Sequence, residues 1–291
     1  MITEFQDGFI TKTKLNELVG GINALDIIVL TADATKTVGV GGDFTTLNLA
    51  INWCKKVIPN GYKVTLQLMA GFVMAEQILL ENLDLGFVTI SSVDATVMVT
   101  SSAINTVFIV EKPIFGGIDS TMPMIDVYFK LDNIASLNLI SGVNLEGMTS
   151  YCRINTNKGF EDLNFRPIFC WRGARIRADG FVAKNCKGGI QASDNGEILA
   201  LSCNINTIYD PTNVYAYSGA KINVSSAVLS TVGLTNISCE NSEVISTYAT
   251  CSGATYKDVV TTEGGVVKFN NSTGTLSQTA NTITANGIIF K

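Results

Sequence analysis

Carboxylates are the side chains on which any catalysis by this 291-residue chain would have to rest. The sequence contains no histidine, which excludes histidine-based triads, imidazole general bases and the commonest zinc sites. Its seven cysteines include no Cys-x-x-Cys pair, and we interpret them as reduced, buried, small apolar residues. The sequence therefore predicts neither a metal nor another cofactor.

Asp194 and Glu240 are the carboxylates that could act as an acid–base pair. Each lies four residues before a recurring apolar residue, Ile198 or Val244, so in the repeat described below they occupy one outward column, two coils apart. Two strand spacings separate them by roughly 9 to 10 Å, just beyond the range of about 6.5 to 9.5 Å found in inverting glycosidases. The alternative is that both are solvated turn charges.

Aromatic side chains and one arginine make a second candidate site, which consists of Trp171, Arg172, Tyr215 and Tyr217. Counted forward from the preceding apolar anchor, Trp171 and Tyr217 share an outward column with Glu240, and Arg172 lies alongside. Aromatic faces stack on sugars, but they are also frequent in protein interfaces. The group is therefore either a saccharide-binding stripe or part of a contact between subunits.

The one basic cluster in the sequence contains four arginines, at positions 166, 172, 175 and 177. Such a cluster could bind a phosphate group or an acidic sugar. It could equally pair with Glu197 and nearby acids, and both interpretations remain open.

A repeat of 22 to 24 residues must position these side chains. Four segments align, at residues 168–178, 190–200, 214–224 and 237–246. The apolar residues that open them are 22, 24 and 23 residues apart: Ile168, Ile190, Val214 and Ile237. A second apolar set has nearly the same spacing: Ile176, Ile198, Ile222 and Val244. A fixed period of this length is typical of a solenoid, so the chain is expected to be mostly β, a right-handed single-stranded parallel β-helix.

Turn residues and charges support the same alignment. Residues that accept the positive φ of a tight turn lie between the two strands of successive segments: Gly173, Gly196, Gly219 and Asn241. Outward charges that alternate in sign come directly before the second apolar set: Arg175, Glu197, Lys221 and Glu243. Alternating charges favour this register because stacked like charges would repel.

Three segments are predicted along the chain. Residues 1–35 form an N-terminal attachment segment with a short helical part, because residues 11–19 have an amphipathic i, i+3, i+4 pattern. Residues 36–262 form the β-helix, with a helix that caps the first coil and about eight coils between residues 63 and 252. Residues 263–291 supply strands that close the last coil.

Bulk charge and hydropathy exclude several classes of function. The formal net charge is −5, so the chain lacks the basic footprint of a protein that binds nucleic acid or an anionic membrane. No run of 18 apolar residues and no secretory leader pattern is found, so neither membrane insertion nor secretion is expected.

Two parts of the chain resemble known families. Residues 42–51, which begin Gly-Asp-Phe-Thr-Thr-Leu, resemble the opening of pectin-lyase-like proteins, together with residues 64–72 and the pair Glu76-Gln77. Residues 7–16 are similar to tail-fibre and tail-spike proteins of bacteriophages, as is the later pattern Gly-Ile-x-Ala followed by Gly-x-x-Ile-x-Ala. Together these stretches cover most of the chain.

The phage resemblance implies a virion component that is assembled in the host cytoplasm, forms a homotrimer and attaches to other tail proteins through its N-terminal segment. It would present its shaft or tip to a bacterial surface, where a polysaccharide could be its ligand, and the resemblance does not imply catalysis. Fibres of this type bury one face of each helix against its neighbours, which favours the subunit contact for the aromatic group. The alternative is a polysaccharide depolymerase, a glycosidase or lyase of the same fold. The Asp, Asp, Arg constellation of pectin esterases is not found in the sequence.

Overall fold

The computed structural model describes residues 27–109, 111–135, 139–207, 212–231, 233–278, 280–281, 284 and 286–291. Parallel sheets form a β-solenoid of about nine turns, and strands account for 49% of the described residues against 4% for helix. The predicted fold class, a mostly β parallel solenoid, is confirmed. The helix predicted at residues 11–19 lies outside the described residues.

The described residues contain one α-helix, α1 (Leu47–Cys54), and a 3-10 helix at Ser101–Ala103. The strands are β1 (Ile28–Val29), β2 (Ala34–Val38), β3 (Val57–Ile58), β4 (Val64–Leu68), β5 (Val73–Met74), β6 (Ile78–Glu81), β7 (Val88–Ser92), β8 (Val97–Val99), β9 (Lys112–Ile118), β10 (Met124–Asp126), β11 (Tyr128–Leu131), β12 (Ile140–Glu146), β13 (Tyr151–Arg153), β14 (Gly159–Glu161), β15 (Ile168–Trp171), β16 (Arg175–Arg177), β17 (Val182–Cys186), β18 (Ile190–Ala192), β19 (Glu197–Leu199), β20 (Asn204–Thr207), β21 (Thr212–Tyr217), β22 (Lys221–Asn223), β23 (Val228–Thr231), β24 (Thr235–Glu240), β25 (Glu243–Ile245), β26 (Thr250–Ser252), β27 (Val259–Thr262), β28 (Gly265–Lys268) and β29 (Gly287–Phe290).

The strands stack into sheets that run along the solenoid. Sheet I contains β2, β4, β7 and β10, and sheet II contains β5, β8, β11, β14, β17, β20, β23 and β26. Sheet III contains β6, β9, β12, β15, β18, β21, β24 and β27, and sheet IV contains β13, β16, β19, β22, β25, β28 and β29. Each side chain in a sheet therefore lies beside its counterparts in the preceding and following coils.

The register confirms the predicted stacking. In sheet III the first apolar set stacks in the order Ile168, Ile190, Val214 and Ile237. In sheet IV the second set stacks in the order Ile176, Ile198, Ile222 and Val244. None of these eight side chains is more than 2% exposed, so the two columns form continuous apolar rows inside the solenoid.

Three of the four predicted turn residues have the expected backbone conformation. Gly173 and Gly219 have φ values of +80° and +79°, and Asn241 has a φ of +43°. The prediction for Gly196 is wrong, because the left-handed residue that takes its place is Asn195, with a φ of +64°.

The position of Asn195 in the repeat explains why it has the left-handed conformation predicted for Gly196. Asn195 lies three residues before the anchor Ile198, where the other coils have their left-handed residue, and asparagine tolerates that conformation better than most residues. Gly196 is required for a different reason: a Cβ atom added there would lie 2.6 Å from the carbonyl oxygen of Cys170 in the preceding coil.

The alternating charges stack in the predicted order, Arg175, Glu197, Lys221 and Glu243. Arg175 Nε lies 3.5 Å from a carboxylate oxygen of Glu197, and both side chains are more than half exposed. Glu243 pairs with Lys268 instead, at 2.6 Å. Exposed ion pairs stabilise the folded state by only about 0 to 1 kcal/mol. These charges therefore help to set the register of the strands more than they stabilise the fold.

Helix α1 covers the first coils with its buried apolar face, as predicted. Its N-terminus is capped by Thr46 Oγ1, which accepts a hydrogen bond from Leu49 N. The carboxylate of Glu76 accepts two more, from Leu47 N at 2.6 Å and Asn48 N at 3.1 Å. The apolar pattern of the sequence predicts a helix through Val57, but the helix ends at Cys54 because the chain continues into β3, which pairs with β1.

All seven cysteines are buried and unpaired, as predicted. Two of them fill positions that alanine takes in neighbouring coils: Cys170 stacks on Ala192, and Ala216 on Cys239. The cysteines are therefore small core residues.

The C-terminal residues cover the last coil. Strands β28 and β29 extend sheet IV. Between them, bridges from Thr273 to Thr250 and from Leu276 to Val259 place the chain along the last strands of sheets II and III. The division of the chain after residues 35 and 262 stays a prediction.

Candidate functional site

The outward face of sheet III brings most of the candidate residues together. Its first outward column runs from coil to coil in the order Asn144, Phe169, Gln191, Tyr215 and Ser238. Its second column, two residues further along each strand, holds Glu146, Trp171, Tyr217 and Glu240. The predicted register of the aromatic group is therefore confirmed, whereas its role in binding stays a prediction.

Asp194 lies outside this column, and its predicted alignment with Glu240 is wrong. Glu240 ends β24 in register with Tyr217, whereas Asp194 lies in the turn after β18, with a φ of +47°. The turn that follows β24 is one residue shorter than the others. A count back from Val244 ignores this missing residue and so aligns Glu240 with Asp194, one position too far along the repeat. The strand register aligns Glu240 with Ser193 instead.

Glu240 is held by an aromatic neighbour. The hydroxyl group of Tyr215 donates a hydrogen bond to Glu240 Oε2 at 3.0 Å. Burial, with the hydrogen bond to Glu240 and its charge as smaller causes, raises the pKa of Tyr215 to about 12. The rings of Tyr215 and Tyr217 stack, with 5.0 Å between their centres and 27° between their planes. Tyr215 is therefore fixed as a neutral donor with a defined ring orientation.

Arg172 lies beside Trp171, as predicted. Its guanidinium carbon is 4.6 Å from the centre of the indole ring, and the side chain forms an ion pair with Glu146. The indole N–H group of Trp171 is buried, and no described residue accepts a hydrogen bond from it. One face of the indole is thus already covered by a cation.

A groove of about 800 Å³ follows the turns between sheets III and IV. It brings Asp194 to Arg172, not to Glu240. Charges of both signs surround it, and the groove is lined by Met148, Arg172, Gly173, Arg175, Asp194, Asn195, Glu197, Gly219 and Lys221. This setting favours the interpretation of Asp194 as a turn charge.

A smaller pocket, of about 360 Å³, opens on the first outward column of sheet III. We call it the Arg166 pocket, and it is lined by Arg166, Gly189, Ile190, Gln191, Thr212, Tyr215 and Ser238. The basic cluster is divided by the fold, because Arg172 and Arg175 line the larger groove and Arg177 pairs with Asp179 at 2.8 Å.

Glu111 is a candidate residue that the sequence did not reveal. Its side chain is 3% exposed, and its Oε1 atom accepts a hydrogen bond from Arg166 Nη1 at 3.1 Å. Burial raises the pKa of Glu111 to about 7, although the positive charge of Arg166 and the hydroxyl group of Ser141 act in the opposite direction. The two partners are 55 residues apart, and no repeat signal connects them.

Gln191 and Ser238 were also missed, although a signal existed. Both occupy the outward column that contains Phe169 and Tyr215, so extending that column to every coil would have found them.

Comparison with protein-family models and with curated proteins finds no match. Among the residues that the structure describes, no helix is long and apolar enough to cross a membrane. In the same residues, no three His, Cys, Asp or Glu side chains are grouped so as to hold a metal ion.

Proposed function

We propose that the chain is a structural subunit of a bacteriophage tail fibre or tail spike, which attaches to the tail through its N-terminal segment and recognises a polysaccharide on the bacterial surface. The solenoid of about nine turns supports this proposal, because stacked coils grow as a rod and repeat one surface along its length. The resemblance of residues 7–16 to tail-fibre proteins supports the viral assignment.

The outward face of sheet III carries the proposal of polysaccharide recognition. Stacked tyrosines at positions 215 and 217 lie beside a pocket with a guanidinium, an amide and hydroxyl groups. Aromatic faces next to a few polar groups are typical of sites that bind sugars. The concave pocket favours a saccharide over a subunit contact here, because a cleft with a few convergent polar groups suits a small ligand.

Binding without cleavage is favoured over the alternative, a depolymerase. Asp194 and Glu240 belong to different positions of the repeat, so the proposed acid–base pair loses its geometric basis. The carboxylate of Glu240 also accepts a hydrogen bond from Tyr215.

The test is an array of bacterial capsular polysaccharides and lipopolysaccharides, followed by analysis of any bound polymer for released oligosaccharides. We expect binding to at least one polymer without release, and affinity about tenfold lower when Tyr215 and Tyr217 are both replaced by alanine. The exposed Tyr256, replaced by alanine, is the matched control and should leave binding unchanged. Absence of binding would contradict the proposal, and release that Glu240→Gln abolishes would establish the depolymerase.

A further inference from the structure

Arg166 is held at the edge of its pocket by contacts that leave most of its N–H groups without a hydrogen-bond partner among the described residues. Its guanidinium carbon lies 4.4 Å from the ring centre of Phe165 and 5.2 Å from that of Phe169. Nη1 donates to Glu111, which is the hydrogen-bond acceptor for this guanidinium among the described residues. A guanidinium has five N–H groups in one plane, so the remaining groups can pair with an anion, which such a planar donor binds well.

Gln191 supplies the second polar group. Its side chain lies between Phe169 and Tyr215 in the same column and is only 6% exposed. No described residue forms a hydrogen bond with its amide. The amide lines the pocket, so it can donate hydrogen bonds to a ligand there and accept them from it.

The remaining wall suits a sugar ring. Tyr215 is held in place by its hydrogen bond to Glu240 and by its stacking on Tyr217. Ser238 adds a hydroxyl group on the far side of Tyr215. An aromatic ring flanked by hydroxyl and amide groups matches the mixed apolar and polar surface of a monosaccharide.

We propose that the Arg166 pocket binds a single sugar unit that carries an anionic group, a carboxylate or a phosphodiester. Arg166 pairs with the anion, Gln191 and Ser238 form hydrogen bonds with hydroxyl groups, and Tyr215 contacts the ring. This inference rests on the proposed recognition of a polysaccharide and names the unit that is recognised.

Glu111 makes this binding depend on pH. Among the residues that the structure describes, the groups that face its carboxyl are Arg166 and the hydroxyl group of Ser141. Above pH 7 the ionised carboxylate offsets the charge of Arg166. Below pH 7 Glu111 is protonated, because burial raises its pKa to about 7, and the charge of Arg166 is then available to the ligand. We expect an anionic sugar to bind about fivefold more tightly at pH 6 than at pH 8.

Three matched probes test the proposal with the full-length protein: methyl β-glucuronide, methyl β-glucoside and the 6-(methyl phosphate) diester of methyl β-glucoside. Saturation-transfer NMR titrations give their dissociation constants at pH 6 and pH 8, where the charges of the probes do not change. We expect at least one anionic probe to bind at least about tenfold more tightly than the neutral glucoside. The two anionic probes distinguish a carboxylate from a phosphodiester.

Variants locate the site. Arg166→Gln should remove the preference for the anion, and the double variant Glu111→Gln/Arg166→Gln should do the same without leaving a buried carboxylate unpaired. Glu111→Gln alone should keep the preference and lose its dependence on pH. Arg153→Gln, an exposed arginine of sheet IV, is the control and should behave as the wild type.

Two results would overturn the inference. The first is equal affinity for the neutral and anionic probes, and a failure of every probe to bind counts as this result. The second is a preference for the anion that remains in Arg166→Gln and in Glu111→Gln/Arg166→Gln. If a polysaccharide from the array still binds in either case, only this assignment fails. If no polysaccharide binds, the proposed recognition fails with it.

Discussion

Glu111 has a buried carboxyl group whose pKa is raised well above its ordinary value. It lies in a buried setting with a single ionic partner, Arg166, and its second oxygen, Oε2, has no hydrogen-bond partner among the described residues. A buried carboxylate that keeps one oxygen unpaired favours its protonated form, since desolvation penalises the charge. The folded state therefore binds a proton here more tightly than the unfolded chain does.

This difference predicts a stability that depends on pH. The pKa of Glu111 rises from 4.5 to about 7 on folding, so its stabilising contribution is complete below pH 4.5 and is lost as the pH rises through 7. Linkage gives a loss of about 3 kcal/mol over that interval. The Tm of the wild type, measured between pH 5 and pH 8, should therefore fall as the pH rises. The part of this fall that Glu111 causes should be absent from the Tm of Glu111→Gln.

An exposed carboxylate provides the comparison for that experiment. Glu197 is 54% exposed, and Glu197→Gln should keep the loss of stability that Glu111 causes between pH 5 and pH 8. A profile that is the same in the wild type and in Glu111→Gln would contradict the assignment of the proton to Glu111.

The cysteines give a second prediction at the residue scale. Burial raises the pKa of six thiols to about 12, those of Cys54, Cys152, Cys186, Cys203, Cys239 and Cys251, and raises that of Cys170 as well. Thiolates are the reactive form, so the native protein should not react with a disulfide reagent at pH 8. All seven thiols should react after denaturation, and rapid reaction of any one in the native state would show that the core is open there.

At the scale of elements, the strands of the later coils could be predicted because their period is nearly constant. Apolar residues 22 to 24 positions apart stack in register from Ile168 to Ile237. The earlier coils could not be aligned in this way. Lys112 pairs with Ile140, 28 residues later, and Val143 pairs with Ile168, 25 residues later.

Insertions in the earlier coils also hide part of the candidate site from sequence reasoning. The loop before β9 places the ring of Phe108 over Gly116, where an added Cβ atom would lie 2.5 Å from it. The same loop carries Glu111 towards Arg166. Such a contact depends on the path of an irregular loop, which leaves no periodic signal.

The turn after β18 provides a prediction at this scale. Gly196→Ala should destabilise the protein by about 1 to 3 kcal/mol, because the new Cβ atom would meet the carbonyl oxygen of Cys170. Asn195→Gly should change stability by less than about 0.5 kcal/mol, since glycine accepts the positive φ of this position. Chemical denaturation of the two variants measures both values, and the opposite order would contradict the observed register of the turn.

At the scale of the whole molecule, the solenoid protects its edges. Exposed edge strands promote uncontrolled pairing between chains. Helix α1 covers the first coils, and the segment with Thr273 and Leu276 runs along the last strands of sheets II and III. Closed ends favour association through the sides of the rod, as the proposed homotrimer requires.

Light scattering of the purified full-length chain during size-exclusion chromatography tests the proposed fibre subunit most directly. We expect a mass three times that of the 31.1-kDa chain, unchanged over a tenfold dilution. A mass of one chain at every concentration would contradict it.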